Sequence, residues 1–236
     1  KDMRQIVLSI LVENTPGVLS RLYLTDVQVV EGGKSYYSSR YTANDTLSYG
    51  MFMDCRNLRE IALPNTIKVV EKDAFKGCTG LTVLTIPDEV RSFASLEGCS
   101  SLQEFRVSVM NSGFTAEDGI LYDKGRKTLL LYPEGRVQAV FEIPDGVEKI
   151  AECAFQNALV DTLRMTHSVV GLGLQAFRGA RLKKVVLSDG IATIPGAVFQ
   201  GCTGLRSVTL GSGTMYISDY CFDGCVLEEL RVLADI

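Results

Sequence analysis

The chain has no tryptophan and a single histidine, His167, in 236 residues. Lacking tryptophan, it lacks the broadest flat aromatic platform for stacking against sugar rings. A lone histidine leaves no His pair for zinc and no imidazole set within a catalytic constellation. Cys-x-x-Cys is absent although there are 7 cysteines, which removes a common zinc and dithiol spacing. No apolar run approaches the roughly 18–20 residues that would span a bilayer. No excess of one charge sign exists either: net charge is -4 with signs interspersed, no footprint for nucleic acid or an anionic membrane. The opening Lys1-Asp2-Met3-Arg4 carries charge without a cleavage-site pattern. The expectation there is a cytosolic protein, or one whose leader lies outside this sequence.

What is present is a repeat. Phe52, Cys55, Leu58, Ile61, Leu63 and Pro64 return as Phe75, Cys78, Leu81, Leu84, Ile86 and Pro87. The phrase reappears as Phe199, Cys202, Leu205, Val208 and Leu210. A period of this order marks stacked units that cannot bury their apolar face alone, and a 46% hydrophobic content suits the shared core. Each Leu-x-x-Leu-x-Leu segment alternates with period two, which predicts a short strand with one buried face. Ten such rungs are expected, at 22–24, 61–63, 84–86, 105–107, 130–132, 141–143, 163–165, 185–187, 208–210 and 230–232. Turn signals such as Pro64-Asn65, Pro87-Asp88 and Pro144-Asp145-Gly146 close several of them. The chain then returns through apolar pairs such as Val147/Ile150 and Ile191/Ile194 to an Ala-Phe step. One helical turn is predicted at that step, with the Phe side chains stacked as a spine.

Five cysteines (Cys55, Cys78, Cys99, Cys202, Cys225) share one slot, which holds Ala158 and Ala180 in other units. A slot that takes Cys or Ala calls for a small buried group. Rungs about 4.8 Å apart would also bring neighbouring Cys inside the disulfide window. The odd count and the alanines argue for free structural thiols. The period breaks between Val107 and Phe141, where Ile120-Leu121-Tyr122 and Thr128-Leu129-Leu130 flank a Gly-containing turn. That reads as an inserted hairpin projecting from one side, its second strand rejoining the stack. Residues 31–50 are polar, rich in Gly and Ser, and carry Tyr36, Tyr37, Tyr41 and Tyr49; they read as an irregular loop.

With its Ala-Phe-x-x-Cys and Ile-Pro dipeptides, the unit resembles the BspA-like class of bacterial leucine-rich repeats, from about residue 20 onward. Residues 29–37 resemble the segment before the first full repeat, and 114–133 an insertion found in such proteins. The resemblance implies a curved, right-handed leucine-rich repeat solenoid with short parallel strands, and short helical turns and loops on the return side. It further implies secretion to the bacterial cell surface and adhesion or host-protein binding, with no catalytic residues and no cofactor. One domain over 1–236 is expected: an irregular rung and Tyr-rich loop at 1–50, repeats at 51–107, the hairpin insertion at 108–140, and repeats at 141–236. Leu96 and Val198 depart from the Phe and Ala slots, and Thr166-His167 from Pro-Asn. The last residues, 231–236, stop at a strand without a polar cap, so a continuation or a covering chain is expected. Residues 8–21 also resemble the opening of a ligand-binding ACT domain, but 22–27 continue as a repeat strand, so the segment reads as a partial first cap.

Candidate chemistry is thin. Glu117-Asp118 and Glu228-Glu229 are adjacent acids on surface segments with no apolar pocket to shift a pKa, and Gly171-x-Gly173 is too short for a nucleotide loop. A partner-binding face is the better expectation. By alternation, together with the polar positions leading into each strand, the outward face holds Arg59, Glu104, Arg106, Arg164, Lys184, Arg206 and Arg231, with Glu60, Glu142, Asp161, Lys183, Glu228 and Glu229 beside them. Arginine is enriched at interfaces and mixed charge favours selective steering. Tyr36, Tyr37 and Tyr41 form a second candidate, offering rigid amphipathic contact area. The expected partner is an extracellular or host protein, with a surface polysaccharide as the alternative, and no nucleic acid.

Overall fold

Alternation does what it predicts: in each rung the middle apolar residue points inward and stacks on the residue one repeat away. The computed structural model describes residues 20–37, 39–94 and 96–233. The chain forms two compact units, Lys1–Gly119 and Ile120–Ile236. In the first, strands Arg21–Tyr23, Glu60–Ala62, Val83–Ile86 and Glu104–Val107 make one parallel sheet. In the second, Val137–Glu142, Leu159–Arg164, Lys184–Val186, Ser207–Leu210 and Glu229–Val232 do the same. Successive strands pair residue for residue one repeat apart, as Leu163 with Val185 and Val185 with Val208. Both units are therefore stacks of leucine-rich repeat coils, and nine predicted rungs lie in these sheets.

The tenth does not. The alternation predicts a rung at 130–132, but strand Thr128–Leu131 pairs with Lys149–Ile150 on the return side of the coil. Tyr132 then takes the place that Phe holds elsewhere, its ring 5.0 Å from Phe155 in stacked orientation. The column continues through Phe177, Phe199 and Phe222 at 5.1, 5.2 and 5.5 Å. In the first unit Phe52 and Phe75 stack at 5.3 Å.

No helical turn forms at the Ala-Phe step, and no helix occurs among the described residues. The reason is a pair of left-handed positions around each phenylalanine of the column. Two residues before it stand Gly50, Asp73, Cys153, Gln175, Ala197 and Tyr220, all at positive φ. Two residues after it stand Asp54, Gly77, Asn157, Gly179, Gly201 and Gly224, again at positive φ. Left-handed residues cannot propagate a right-handed helix. They turn the amides across the stack instead: Phe155 N donates to Ala176 O at 2.7 Å and Phe177 N to Val198 O at 2.9 Å.

The cysteine slot has a use that size alone does not supply. All seven thiols are free. Cys78 Sγ donates to Phe52 O at 3.0 Å, Cys202 Sγ to Phe177 O at 3.0 Å, and Cys225 Sγ to Phe199 O at 3.1 Å. Each of these three thiols thus ties its coil to the ring position one coil earlier. Alanine at 158 and 180 fills the same space without the bond.

Where the period breaks, buried Asn111 takes over the work of a missing strand. Its Nδ2 donates to Pro87 O at 2.7 Å and Val90 O at 3.1 Å, while Oδ1 accepts from Gly113 N and Phe114 N at 2.8 Å each. The predicted hairpin exists, with Ile120–Asp123 antiparallel to Thr128–Leu131. It does not project, because Ile120, Tyr122 and Leu129 belong to the hydrophobic core. Residues 31–50 are also not an irregular loop. Gly32–Tyr37 and Arg40–Thr42 pair as an antiparallel hairpin, and Thr46–Leu47 joins a return-side sheet with Val69–Val70 and Ser92–Phe93. The resemblance of residues 8–21 to an ACT domain falls almost wholly outside the described residues.

Candidate functional site

Strand register decides which side chains share the outward face. In the first unit one outward row runs Arg21, Glu60, Val83, Glu104. The next begins with Tyr23 beside Ala62 and ends with Thr85 beside Arg106, and continuing the register sets Ala62 next to Thr85. Small residues (Ala62, Val83, Thr85) thus occupy the middle of the face while long ones flank it. The result is an open groove of about 440 Å³, lined also by Thr25, Asn65, Asp88 and Ser108.

Its charges are unequal in freedom. Glu60 pairs with Arg21 at 3.6 Å, and Arg106 pairs with Glu104. Arg59, which enters the Glu60–Ala62 strand, and Asp88, which leaves the Val83–Ile86 strand, both line the groove and carry no ion pair among the described residues. The groove therefore has a free cation near the strand starts and a free anion past their ends.

The second unit presents a largely self-neutralised face. Arg164, Val186, Thr209 and Arg231 form one outward row, and Thr162, Lys184, Ser207 and Glu229 the other. Arg164 pairs with Glu142 at 3.0 Å, Arg206 with Glu228 at 3.3 Å, and Arg231 with Glu229 at 2.6 Å. Hydrogen bonds from Arg231 and then Ser207 hold the Glu229 carboxyl below its usual value. Asp161 is lowered likewise, first by the Lys183 hydrogen bond and then by the nearby charge of Arg181.

The predicted contact residues thus fall into separate groups. Arg59, Glu104 and Arg106 share the first unit's sheet face, while Arg164, Lys184, Arg206 and Arg231 share the second's. Tyr41 stands on the N-terminal hairpin with 56% exposure. Tyr36 and Tyr37 lie on the partner strand, with side chains outside those described. Thr42 pins the hairpin base, its single hydroxyl proton lying between Val30 O at 2.6 Å and Gly32 O at 2.9 Å. Sequence reasoning missed Thr25, Asn65, Asp88 and Ser108. The Pro-Asn and Pro-Asp steps were legible as turns, but alternation stops at the strand end and cannot say which way a turn residue faces. Among the described residues, no group of three or more His, Cys, Asp or Glu is placed to hold a metal ion, and no helix is long and apolar enough to cross a membrane.

Parallel rungs, a ring column and a recurring thiol slot define a leucine-rich repeat protein. The BspA type leucine rich repeat region matches in six copies over residues 43–116 and 137–236, and the chain belongs to that family. Among solved structures it is similar to a leucine rich cell surface protein from Faecalibacterium prausnitzii A2-165, with 25% identity and a TM-score of 0.70. That match covers 92% of this chain and 60% of the other. It also shares its fold with the pneumococcal vaccine antigen PcpA (20% identity, TM-score 0.63, covering 81% of this chain and 54% of that one). A leucine-rich repeat protein from Eubacterium ventriosum aligns at 17% identity and a TM-score of 0.52, covering 79% of this chain and 69% of that one. The chain thus spans less than two thirds of the first two relatives. No curated protein matches it.

Proposed function

We propose that this protein is a non-catalytic interaction scaffold on the bacterial cell surface, binding an extracellular or host protein through its sheet faces. The observation that carries the reading is the groove of the first unit, where small residues are flanked by charged ones on a rigid parallel sheet. Rigid elements hold a contact surface with little ordering cost on binding. Arginine and mixed charge favour a protein partner, as do the polar walls. The relatives described as a cell surface protein and a vaccine antigen support the extracellular location.

The test is to measure binding of the purified chain to a panel of extracellular-matrix and host-surface proteins. Saturable binding at micromolar concentration, weakened about tenfold or more by Arg106→Glu with unchanged folding, is the expected result. Undetectable binding across the panel at high micromolar concentration would sink it. A glycan-array hit lost on Tyr41→Ala would instead favour the polysaccharide reading.

A further inference from the structure

We propose that the groove of the first unit takes an extended polypeptide segment with an acidic side chain at one end and a basic one at the other. This deepens the protein-scaffold reading and rests on it. The argument starts from which charges are already satisfied. Glu60 and Arg106 face the groove but are matched by Arg21 and Glu104. A ligand charge opposite either of them would have to compete with a partner in place. Arg59 and Asp88 have no such partner among the described residues and both line this groove, Arg59 just before the Glu60–Ala62 strand and Asp88 just past the Val83–Ile86 strand.

Their separation follows from register. Glu60 lies beside Val83, so Asp88 is level with Asn65, six positions along from Arg59. At about 3.3 Å per residue, that is at most about 20 Å, the span of about seven extended residues. Between the ends the floor is Ala62 and Val83, with Thr85 and Asn65 supplying hydroxyl and amide groups. Small aliphatic floor and neutral hydrogen-bonding walls suit peptide side chains and peptide groups alike. A uronic-acid glycan would meet the Asp88 carboxylate, and a neutral glycan would use neither end charge. A basic or an acidic peptide of one sign would be repelled at one end.

The experiment uses four peptides of about seven residues, differing only in their terminal side chains: Glu with Lys, Lys with Lys, Glu with Glu, and Gln with Gln. Their blocked ends leave only those charges, and binding is read at low salt, where exposed charges are least screened. The chain should favour the Glu-with-Lys peptide over the others by about tenfold. Arg59→Glu should shift the preference to the doubly basic peptide, and Asp88→Lys to the doubly acidic one. Both sites are exposed, and circular dichroism checks that the variants stay folded; should either unfold, Arg59→Gln and Asp88→Asn must flatten the preference instead. Equal binding of all four, an order unmoved by the variants, or displacement only by a neutral glycan would overturn the proposal. If panel binding nonetheless persists in the Arg59→Glu variant, the groove proposal falls while the scaffold reading stands.

Discussion

The backbone at single positions sets the shape of each coil. Left-handed conformation costs an ordinary L-residue about 1–2 kcal/mol, yet Gln175, Ala197 and Tyr220 adopt it on one side of the ring column. On the other side Gly77, Gly179, Gly201 and Gly224 do so freely, and only Asp54 and Asn157 stand in for glycine. Those two substitutes leave little room above them. A Cβ added at Gly179 would lie 2.5 Å from Asn157 Oδ1, and one at Gly77 2.5 Å from Asp54 Oδ1. Gly179→Ala should therefore destabilise by about 2 kcal/mol, combining strained φ with the overlap. Ala197→Gly should go the other way, gaining up to about 1 kcal/mol once glycine's greater unfolded entropy is subtracted. Urea midpoints at constant m-value check both signs; equal effects in the same direction would mean the backbone conformation is not the cause.

At the scale of elements, the rings act as a column rather than as separate core residues. Phe177 is fully buried between Phe155 and Phe199, so Phe177→Ala should cost about 3–5 kcal/mol. Phe222 closes the described column with one described ring neighbour and is only partly buried, so Phe222→Ala should cost distinctly less. Equal losses in denaturant titrations would remove the column as a source of stability. This column, the strands and the thiol slot were all legible in the sequence, because each repeats one residue type at a fixed place. What was not legible followed from exceptions to that rule. Tyr132 hid in the ring column because its neighbours read as a strand, and Asn111 hid because a buried amide leaves no periodic mark. The missing helical turn escaped because its cause, a left-handed residue two before the ring, is filled by Asp73, Cys153, Gln175 and Ala197. Side chains so different share a backbone angle without sharing a pattern. The groove suffered similarly: Arg106 follows from alternation and Arg59 from its place as a polar residue leading into a strand, whereas Asp88 lies past the strand, where alternation has ended.

For the whole molecule, repetition turns a weak local preference into a collective one, and the thiols give a way to see it. Surface ion pairs such as Arg164 with Glu142 lie in water and add little each, so salt should not be the main lever on stability. Alkali should be. Burial raises the Cys202 and Cys221 thiols from 9.0 to about 12 and Cys55 to about 11, and pushes Cys78 higher still. Burial is the first cause in each, because a thiolate between stacked coils would lose its water. The folded chain therefore keeps protons that the unfolded chain releases above about pH 9. Unfolded molecules then bind fewer protons than folded ones, and stability falls as pH rises. The thiol contribution is fully present below pH 9 and is lost as pH climbs through about 12. Each such thiol adds at most about 1.4 kcal/mol per pH unit to that slope. Cys202→Ala removes one of them, and alanine is already accepted in this slot at Ala158 and Ala180. At pH 7 the variant should lose about 1 kcal/mol with the hydrogen bond to Phe177 O. Between pH 9 and 11 it should then decline less steeply than the parent. Urea titrations across that range decide the matter: parallel declines would mean that the Cys202 thiol is not held protonated by the stack.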